Sequence, residues 1–305
     1  MKKCIVIYNP TSGHTIKKKL IPRYKALIEK HDYNVQFIAT QYKGHAKEIV
    51  QHIGYVDLVM SMGGDGTFNE IVYGNSLRKN QLLLAHVPIG TTNDIGRMFG
   101  YTDNTDKNID ACLKGEIKTI DIPTINKRPF VYVGGFGKFL SIAYDTTREN
   151  KKKYGYLAYV MSGIKDFFTQ TKSYEITYTV DGESHKIDAS MMMICNATRI
   201  AGMNSFFKNV KLDDDLFEVY IVTAKKRLDI LRALGLSAFS GPKNVQDVIS
   251  FRTNNIKLKF KERLKKNWCI DGEKLEINTY TYDIRNTQSI RLMVPKKNVS
   301  KLFTK

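Results

Sequence analysis

Three glycine-bearing segments hold the residue types best suited to bind an anion: "NPTSG" (9–13), "GGDGTFNE" (63–70) and "PIGTTNDIGR" (88–97). Glycine costs conformational entropy wherever it is ordered, so three glycines within Gly63 to Gly66 need a reason, either a tight turn or a close backbone approach. A glycine turn that feeds a helix presents backbone N–H groups and the positive end of the helix dipole, which suits phosphate. Thr67 and Glu70 have the spacing of a capping box, which predicts a helix starting at Thr67 with Phe68, Ile71 and Val72 on its buried face. A plain strand-to-helix turn with no ligand is the competing reading. Asp65 weighs against it, because a carboxylate inside a phosphate cradle repels its ligand unless a cation lies between them. In the third segment Gly90 allows close approach, Thr91 and Thr92 offer hydroxyls, and Asn93 or Asp94 is placed to cap the next helix. Neither a G-x-x-x-x-G-K-[ST] motif nor a strand-linked G-x-G-x-x-G is present, which sets aside a P-loop nucleotidase and weakens a dinucleotide oxidoreductase.

The elements that must position these segments alternate. "KCIVIYN", "NVQFIAT", "VDLVMSM" and "LLLAHVP" read as buried parallel strands, while "IPRYKALIEKH", "HAKEIVQHI" and "TFNEIVYG" have helical apolar spacing. That alternation predicts an α/β domain with a parallel sheet, whose ligands bind beyond the carboxyl ends of the strands. Three of the four strand ends carry the glycine segments. After Asp121 the texture becomes β-rich, with a hairpin expected at Asp181-Gly182, a buried strand after it, and strands in "LFEVYIVTA", "NNIKLKFK", "KLEINTYTYDIR" and "SIRLMVP". Helices are expected at Lys153–Phe168 and Arg227–Phe239. The expected domains are residues 1–122 and 123–287, with 288–305 free to pack back on the first.

The 305 residues carry 48 Lys+Arg against 30 Asp+Glu, a formal charge of +18. Residues 1–125 hold 16 basic and 12 acidic side chains (net +4), so the remainder holds 32 and 18 (net +14). Such a basic half implies an anionic partner, phospholipid or nucleic acid, unless the excess serves solubility alone. "RENKKKYGYLAYVMSGIKDFF" places Arg148, Lys151, Lys152 and Lys153 just ahead of a helix rich in aromatics, which suits anionic lipid, or a core helix with a charged entry. No nucleic-acid recognition module is visible. The cysteines Cys4, Cys112, Cys195 and Cys269 lack metal-ligand spacing, so reduced core thiols and a cytoplasmic location are expected. No apolar run reaches the ~20 residues of a membrane span, so any membrane association is expected to be peripheral.

Two further acidic motifs lie in the second half. "KLDDDLF" (211–217) crowds three carboxylates in a basic region, which calls for a neutralising cation or a well-solvated turn. In "CIDGEKL", Asp271-Gly272 has the form of a hairpin turn, which would leave Glu273 as an ordinary strand residue.

"YNPTSG", "GGDGTFNE", "PIGTTNDIGR", "KLDDDLF" and "DGE" occur in the order and approximate spacing of the bacterial diacylglycerol kinase family, which the chain resembles from Ile5 to about Val294. GGDGT alone also occurs in NAD kinases; its pairing with P-x-G-T-x-N-D-x-x-R is the more specific sign of a lipid kinase. The resemblance implies a Rossmann-like α/β domain followed by a β-sandwich-like domain. It implies transfer of the ATP γ-phosphoryl group to diacylglycerol or a related lipid at an anionic membrane surface, with ATP and Mg²⁺ required. A soluble acceptor such as NAD, or a silent lipid- or nucleotide-binding protein, is the alternative, and a homodimer stands among the expected partners. By position, the resemblance assigns Asn9, Pro10, Thr11, Ser12, Gly13 and Thr40 to the nucleotide site. Gly64, Gly66, Thr67, Phe68, Asn69 and Glu70 would form the phosphate loop, closed by Thr91. Asp65 would act through Mg²⁺, with Asp94 and Asp121 extending the acidic network around it. Glu273 would be the general base, because transfer to an alcohol needs its proton accepted as the new bond forms. A second, structural Mg²⁺ would sit on Lys211, Asp214 and Leu216. Here the chain departs from the family pattern, with Asp215 where glycine is common, which puts that site in doubt if the backbone needs positive φ.

Overall fold

The computed structural model describes residues 1–10, 18–140, 166, 169–200, 203–204, 207 and 209–304. The chain forms two compact units, Met1–Ile120 with Gln288–Lys305, and Asp121–Thr287. In the first, β1 (Lys2–Tyr8), α1 (Ile21–Glu29), β2 (Tyr33–Ala39), α2 (His45–His52), β3 (Leu58–Gly63), α3 (Asp65–Ser76), β4 (Leu84–Pro88), α4 (Asp94–Met98) and α5 (Thr105–Leu113) alternate before β5 (Glu116–Ile125) leads out. The pairings β1 with β2, β1 with β3 and β3 with β4 are all parallel. Every residue of β3 and β4 is buried, as expected of central strands covered on both faces.

Helix α3 starts at Asp65, two residues before the start that the capping-box spacing predicts. Gly64 takes the extended N-cap conformation (φ −86°, ψ 179°), and its carbonyl accepts from the N–H groups of Thr67 and Phe68 at 3.0 and 3.2 Å. Phe68 is fully buried and stacks on His86 of β4, with ring centroids 4.6 Å apart. His86 lies opposite Ser61 of β3; neither of its ring nitrogens nor the Ser61 hydroxyl has a hydrogen-bond partner. Burial pushes the His86 pKa down from 6.5 to about 3. The unfolded chain therefore binds a proton between those values that the folded chain does not, so stability falls as pH drops through 6.5 toward 3. At about 1.4 kcal/mol for each tenfold change in proton affinity, the loss is on the order of 5 kcal/mol. Melting followed by circular dichroism from pH 8 to pH 4 should show a steeper acid loss for the wild type than for His86→Leu; equal slopes would exclude this role for His86.

The second unit contains β6 (Arg128–Pro129), β7 (Val133–Gly137), β8 (Tyr174–Val180), β9 (Glu183–Ala189), β10 (Met191–Cys195), β11 (Arg199–Ile200), β12 (Met203–Asn204) and β13 (Phe217–Val222). Helix α6 (Arg227–Ser240) precedes β14 (Val248–Thr253), β15 (Asn255–Phe260), β16 (Cys269–Ile270), β17 (Glu273–Lys274) and β18 (Thr281–Val294), and α7 (Val299–Leu302) closes the chain. One antiparallel sheet runs β14-β13-β10-β7-β16-β17. The other joins β18, β15, β8 and β9, again antiparallel. Residues of both sheets share one core around the fully buried Trp268, whose ring centroid lies 5.2 Å from those of Phe136 and Tyr282. This is a β-sandwich, and its aromatic centre replaces much of the aliphatic packing. Asp181 (φ 51°) and Gly182 (φ 82°) make the expected β8–β9 turn, both in the left-handed region that a two-residue hairpin requires.

The strand expected at 274–285 is broken: β17 ends at Lys274 and β18 begins at Thr281. Between them Asn267 donates to the Leu275 carbonyl at 2.7 Å and Asn278 to the Leu264 carbonyl at 3.0 Å, beside the backbone bonds from Leu275 N–H to Trp268 and from Phe260 N–H to Tyr280. Conversely, the two strands expected on either side of Asn286 form the single β18. Its second half returns to the first unit, where Leu292 and Met293 pair in parallel with Leu84 and Ala85 of β4. The helix expected at Lys153–Phe168 lies outside the described residues apart from Asp166. All four cysteines are free and buried, and among the described residues no helix is long and apolar enough to cross a bilayer.

Candidate active site

The carboxyl ends of β1 to β4 bring several of the expected nucleotide residues to one edge of the first unit. Thr40 follows β2 and donates its N–H to the Tyr8 carbonyl at 2.9 Å, which seats it beside the Asn9-Pro10 exit of β1. Thr11, Ser12 and Gly13 lie outside the described residues.

The glycines after β3 and β4 are there because the two loops touch. Ile89 donates its N–H to the Gly63 carbonyl at 2.9 Å. A Cβ on Gly90 would stand 2.6 Å from the Gly64 Cα and 2.8 Å from Asn93 Oδ1. Close backbone approach, and not a tight turn alone, is what these glycines serve. Gly90→Ala must push the loops apart, and a displacement of about 1 Å in a phosphate cradle costs roughly 10²-fold in kcat/KM. Steady-state kinetics with ATP as the varied substrate would measure it; a wild-type value would contradict the contact.

Asp65 is the second tie between these loops. Its carboxylate accepts from the N–H groups of Asp94 and Ile95 at 3.0 and 3.3 Å, the first two residues of α4. The side chain thus caps α4 from a separate loop, whereas local spacing points to Asn93 or Asp94 as the cap. Asn93 holds the N-cap position in the left-handed region (φ 51°), but its amide donates to the Gly90 carbonyl at 2.9 Å and caps nothing.

Glu70 is likewise committed within the protein. Its two oxygens accept from the N–H groups of Gly44 and Ala46 at 2.8 and 3.2 Å, capping α2. At the other end of α2, Arg78 donates to the carbonyls of Val50 and Ile53, both at 2.7 Å. The α3 segment thereby holds α2 at both termini. The Phe68 and Asn69 side chains are buried, and Phe68 in particular, stacked on His86, cannot offer its ring to a nucleotide. Thr91 is exposed, and Gly66 and Thr67 are half-buried on the first turn of α3.

A Mg²⁺ ion fits Asp65 in a limited sense. A carboxylate has about four lone-pair directions, and two of those on Asp65 face the backbone N–H groups of α4. Among the described residues no group of three His, Cys, Asp or Glu side chains is placed to hold a metal.

Asp121 is another of the acids expected around that metal. It belongs to the second unit, where its carboxylate accepts from Asp215 N–H at 2.7 Å and its own N–H donates to the Leu212 carbonyl. Burial, with Asp215 and Asp214 nearby, raises its pKa. Asp214 accepts from Leu216 N–H at 3.2 Å and from Arg252 at 2.6 Å. The Arg252 guanidinium is one cation that these crowded carboxylates have beside them. Asp215 sits at φ 59°, so this turn does require the left-handed conformation that glycine adopts more readily. Arg252 also reaches Glu218 at 3.1 Å. No local pattern singles out Glu218, whose burial in β13 pushes its pKa up to about 7 despite that partner.

Glu273 stands on β17, half-buried and paired with Ile270. The turn before it, Asp271 (φ 49°) and Gly272 (φ 82°), is the expected hairpin. Its anchor is not legible in the sequence. The Asp271 carboxylate is buried and accepts three backbone N–H groups, Val131 at 2.5 Å and Tyr132 and Val133 at 3.0 Å. Of the "DGE" residues, the aspartate fixes the hairpin to the strand beside it, and the glutamate is carried on that fixed base. A second buried anchor, Lys138, follows β7 and donates to the Thr169 carbonyl and hydroxyl at 2.8 and 2.7 Å and to the Asp166 carbonyl. Its burial lowers its pKa.

Comparison with known proteins follows the same division. Residues 3–125 match the diacylglycerol kinase catalytic domain, and residues 134–291 match the YegS C-terminal NAD kinase beta sandwich-like domain. A diacylglycerol kinase of Bacillus subtilis (strain 168) is 28% identical over 276 residues, 90% of each chain. One from Staphylococcus aureus (strain NCTC 8325 / PS 47) is 30% identical over 224 residues, 72% of this chain and 70% of the relative. The crystal structure of a diacylglycerol kinase from Bacillus anthracis str. Sterne has the same fold, with a TM-score of 0.78 over 98% of this chain and 99% of that one at 22% identity. Two joined glycine loops at the edge of a parallel sheet, a sandwich bearing "DGE", and these matches place the chain in the diacylglycerol kinase family, as a lipid kinase.

Proposed function

We propose that the protein transfers the γ-phosphoryl group of ATP to the free hydroxyl of diacylglycerol, giving phosphatidic acid and ADP, at the cytoplasmic surface of an anionic membrane. The observation that carries this reading is the mutual fixing of the "GGDGT" and "PIGTTND" loops through Gly64, Gly90 and Asp65. Phosphoryl transfer asks a protein mainly for positioning and charge stabilisation, so two loops locked together at a helix N-terminus are the part that matters. Asn9, Thr40, Gly66, Thr67 and Thr91 would bind and orient the nucleotide. The lipid oxygen bonds to the γ-phosphorus as the bond from that phosphorus to the β-bridging oxygen breaks, and ADP leaves. The hydroxyl proton passes to the Glu273 carboxylate. Magnesium, held by Asp65 and the nucleotide phosphates, would neutralise charge on the transferring group. A second Mg²⁺ on Lys211, Asp214 and Leu216 would share Asp214 with Arg252.

The test uses diacylglycerol in mixed micelles with γ-labelled ATP. Label should appear in phosphatidic acid, vanish on chelation of divalent cations and return with added Mg²⁺. Absence of labelled phosphatidic acid would remove the acceptor assignment, and transfer that survives chelation would remove the metal.

A further inference from the structure

Helix α6 is apolar on faces that cannot all be buried in its own unit. Ile230, Ala233 and Ser237 point inward, and Ser237 meets the Tyr220 hydroxyl of β13 at 3.0 Å. A helix that is apolar all round is normally enclosed. Here the outward side carries Leu228, Leu231, Leu236 and Phe239, which recur with Arg232 and Gly235 at spacings of three and four. All four apolar side chains are exposed, Leu228 at 67% and Phe239 at 92%. Single exposed leucines need no explanation, but four large apolar side chains along one helix face form a patch, and such patches mark interaction sites.

The charges around the patch identify its partner. Lys225, Lys226 and Arg227 lead into the helix, Arg232 stands within the exposed face, and Lys243 follows it, all exposed; Asp229 is the acidic residue of the helix. Lys225 reaches Asp188 at 2.9 Å, which leaves the local balance basic. Leucine and phenylalanine flanked by lysine and arginine form the side-chain pattern of a helix that lies in the headgroup layer of an anionic bilayer. A second copy of the chain fits less well, because a two-fold contact would set Arg232 and its neighbouring cations against their own counterparts. We infer that α6 is a membrane-docking element that inserts Leu228, Leu231, Leu236 and Phe239 among the acyl chains of an anionic phospholipid surface. The inference rests on the lipid-acceptor reading above, since such an acceptor resides in that surface.

The experiment compares the wild type, Leu228→Ser/Phe239→Ser and Phe239→Trp for binding to vesicles of phosphatidylglycerol with phosphatidylcholine, and of phosphatidylcholine alone. The wild type should sediment with the anionic vesicles, less so at high salt, and the double variant should bind at least about tenfold more weakly. In Phe239→Trp, the fluorescence of the added indole should shift to the blue on the anionic vesicles and be quenched by lipids brominated in the acyl chain. Turnover of short-chain diacylglycerol in detergent micelles should be unchanged in the double variant, because none of these residues is assigned to the nucleotide site or to proton transfer. Vesicle binding by the double variant equal to wild type, or no binding by the wild type, would overturn the proposal. A change from dimer to monomer on sedimentation, with vesicle binding intact, would assign the face to a second copy. Loss of vesicle binding in a protein that phosphorylates no diacylglycerol in micelles would leave docking standing and remove the acceptor assignment instead.

Discussion

Glu273→Gln is expected to cut lipid phosphorylation by about 10²- to 10⁴-fold, the usual contribution of a positioned general base. The substitution keeps the size and hydrogen-bonding shape of the side chain but removes its ability to take a proton. Glu273 sits on a two-residue strand whose register, Ile270 opposite Glu273, is set by the backbone and by Asp271, so the hairpin has no reason to move. The expected signature is therefore a fall in kcat with ATP affinity and melting temperature unchanged, measured by steady-state kinetics, calorimetric nucleotide titration and thermal denaturation. If turnover persists in the variant, another group takes the proton and the base assignment is wrong.

Two residues earlier, a substitution should act on the fold instead. Asp271→Ala strips the acceptor from three backbone N–H groups at once, those of Val131, Tyr132 and Val133, in a place closed to water. Each orphaned buried donor costs roughly 1–3 kcal/mol, so the total is on the order of 5 kcal/mol. For a protein of this size that corresponds to a melting temperature lower by about 10–20 °C. Asp271→Asn should fall between, since its carbonyl can keep Tyr132 and Val133 while its amide faces the Val131 N–H. A melting curve for Asp271→Ala that overlies the wild type would show that these bonds do not hold the hairpin. The pair of substitutions separates the two functions packed into "DGE".

What is legible in the sequence, and what is not, follows from the range of each interaction. The strands β1 to β4 and the glycine segments at their ends are local patterns, and the apolar runs sit where the pattern predicts within a residue or two. The Asp181-Gly182 hairpin is readable because its turn chemistry is local too. β7 escapes a reading by strand propensity because three of its five residues are glycines. There Gly135 is required by crowding, with a Cβ reaching the Met192 carbonyl at 2.5 Å and Leu140 at 2.6 Å, a constraint set largely by a neighbour distant in sequence. The same holds for side-chain roles. Glu70 has the spacing of a partner for Thr67, but it caps the start of a helix more than twenty residues before it. Asp65 and Asp94 both read as acids near a metal; that the Asp65 carboxylate also ties the backbone of Asp94 in place is a long-range contact no local pattern shows. The acidic run at 213–215 implies a cation; the Arg252 guanidinium that reaches Asp214 lies 38 residues on, and no local pattern announces that pairing.

The proposed activity places phosphate on a lipid hydroxyl and not on a soluble one. The most direct measurement is a single reaction that holds γ-labelled ATP, Mg²⁺, diacylglycerol in mixed micelles and NAD together, extracted into organic and aqueous phases after a few turnovers. The label is expected to partition into the organic phase as phosphatidic acid. Label recovered in the aqueous phase as phosphorylated NAD, with none in the lipid, would contradict it.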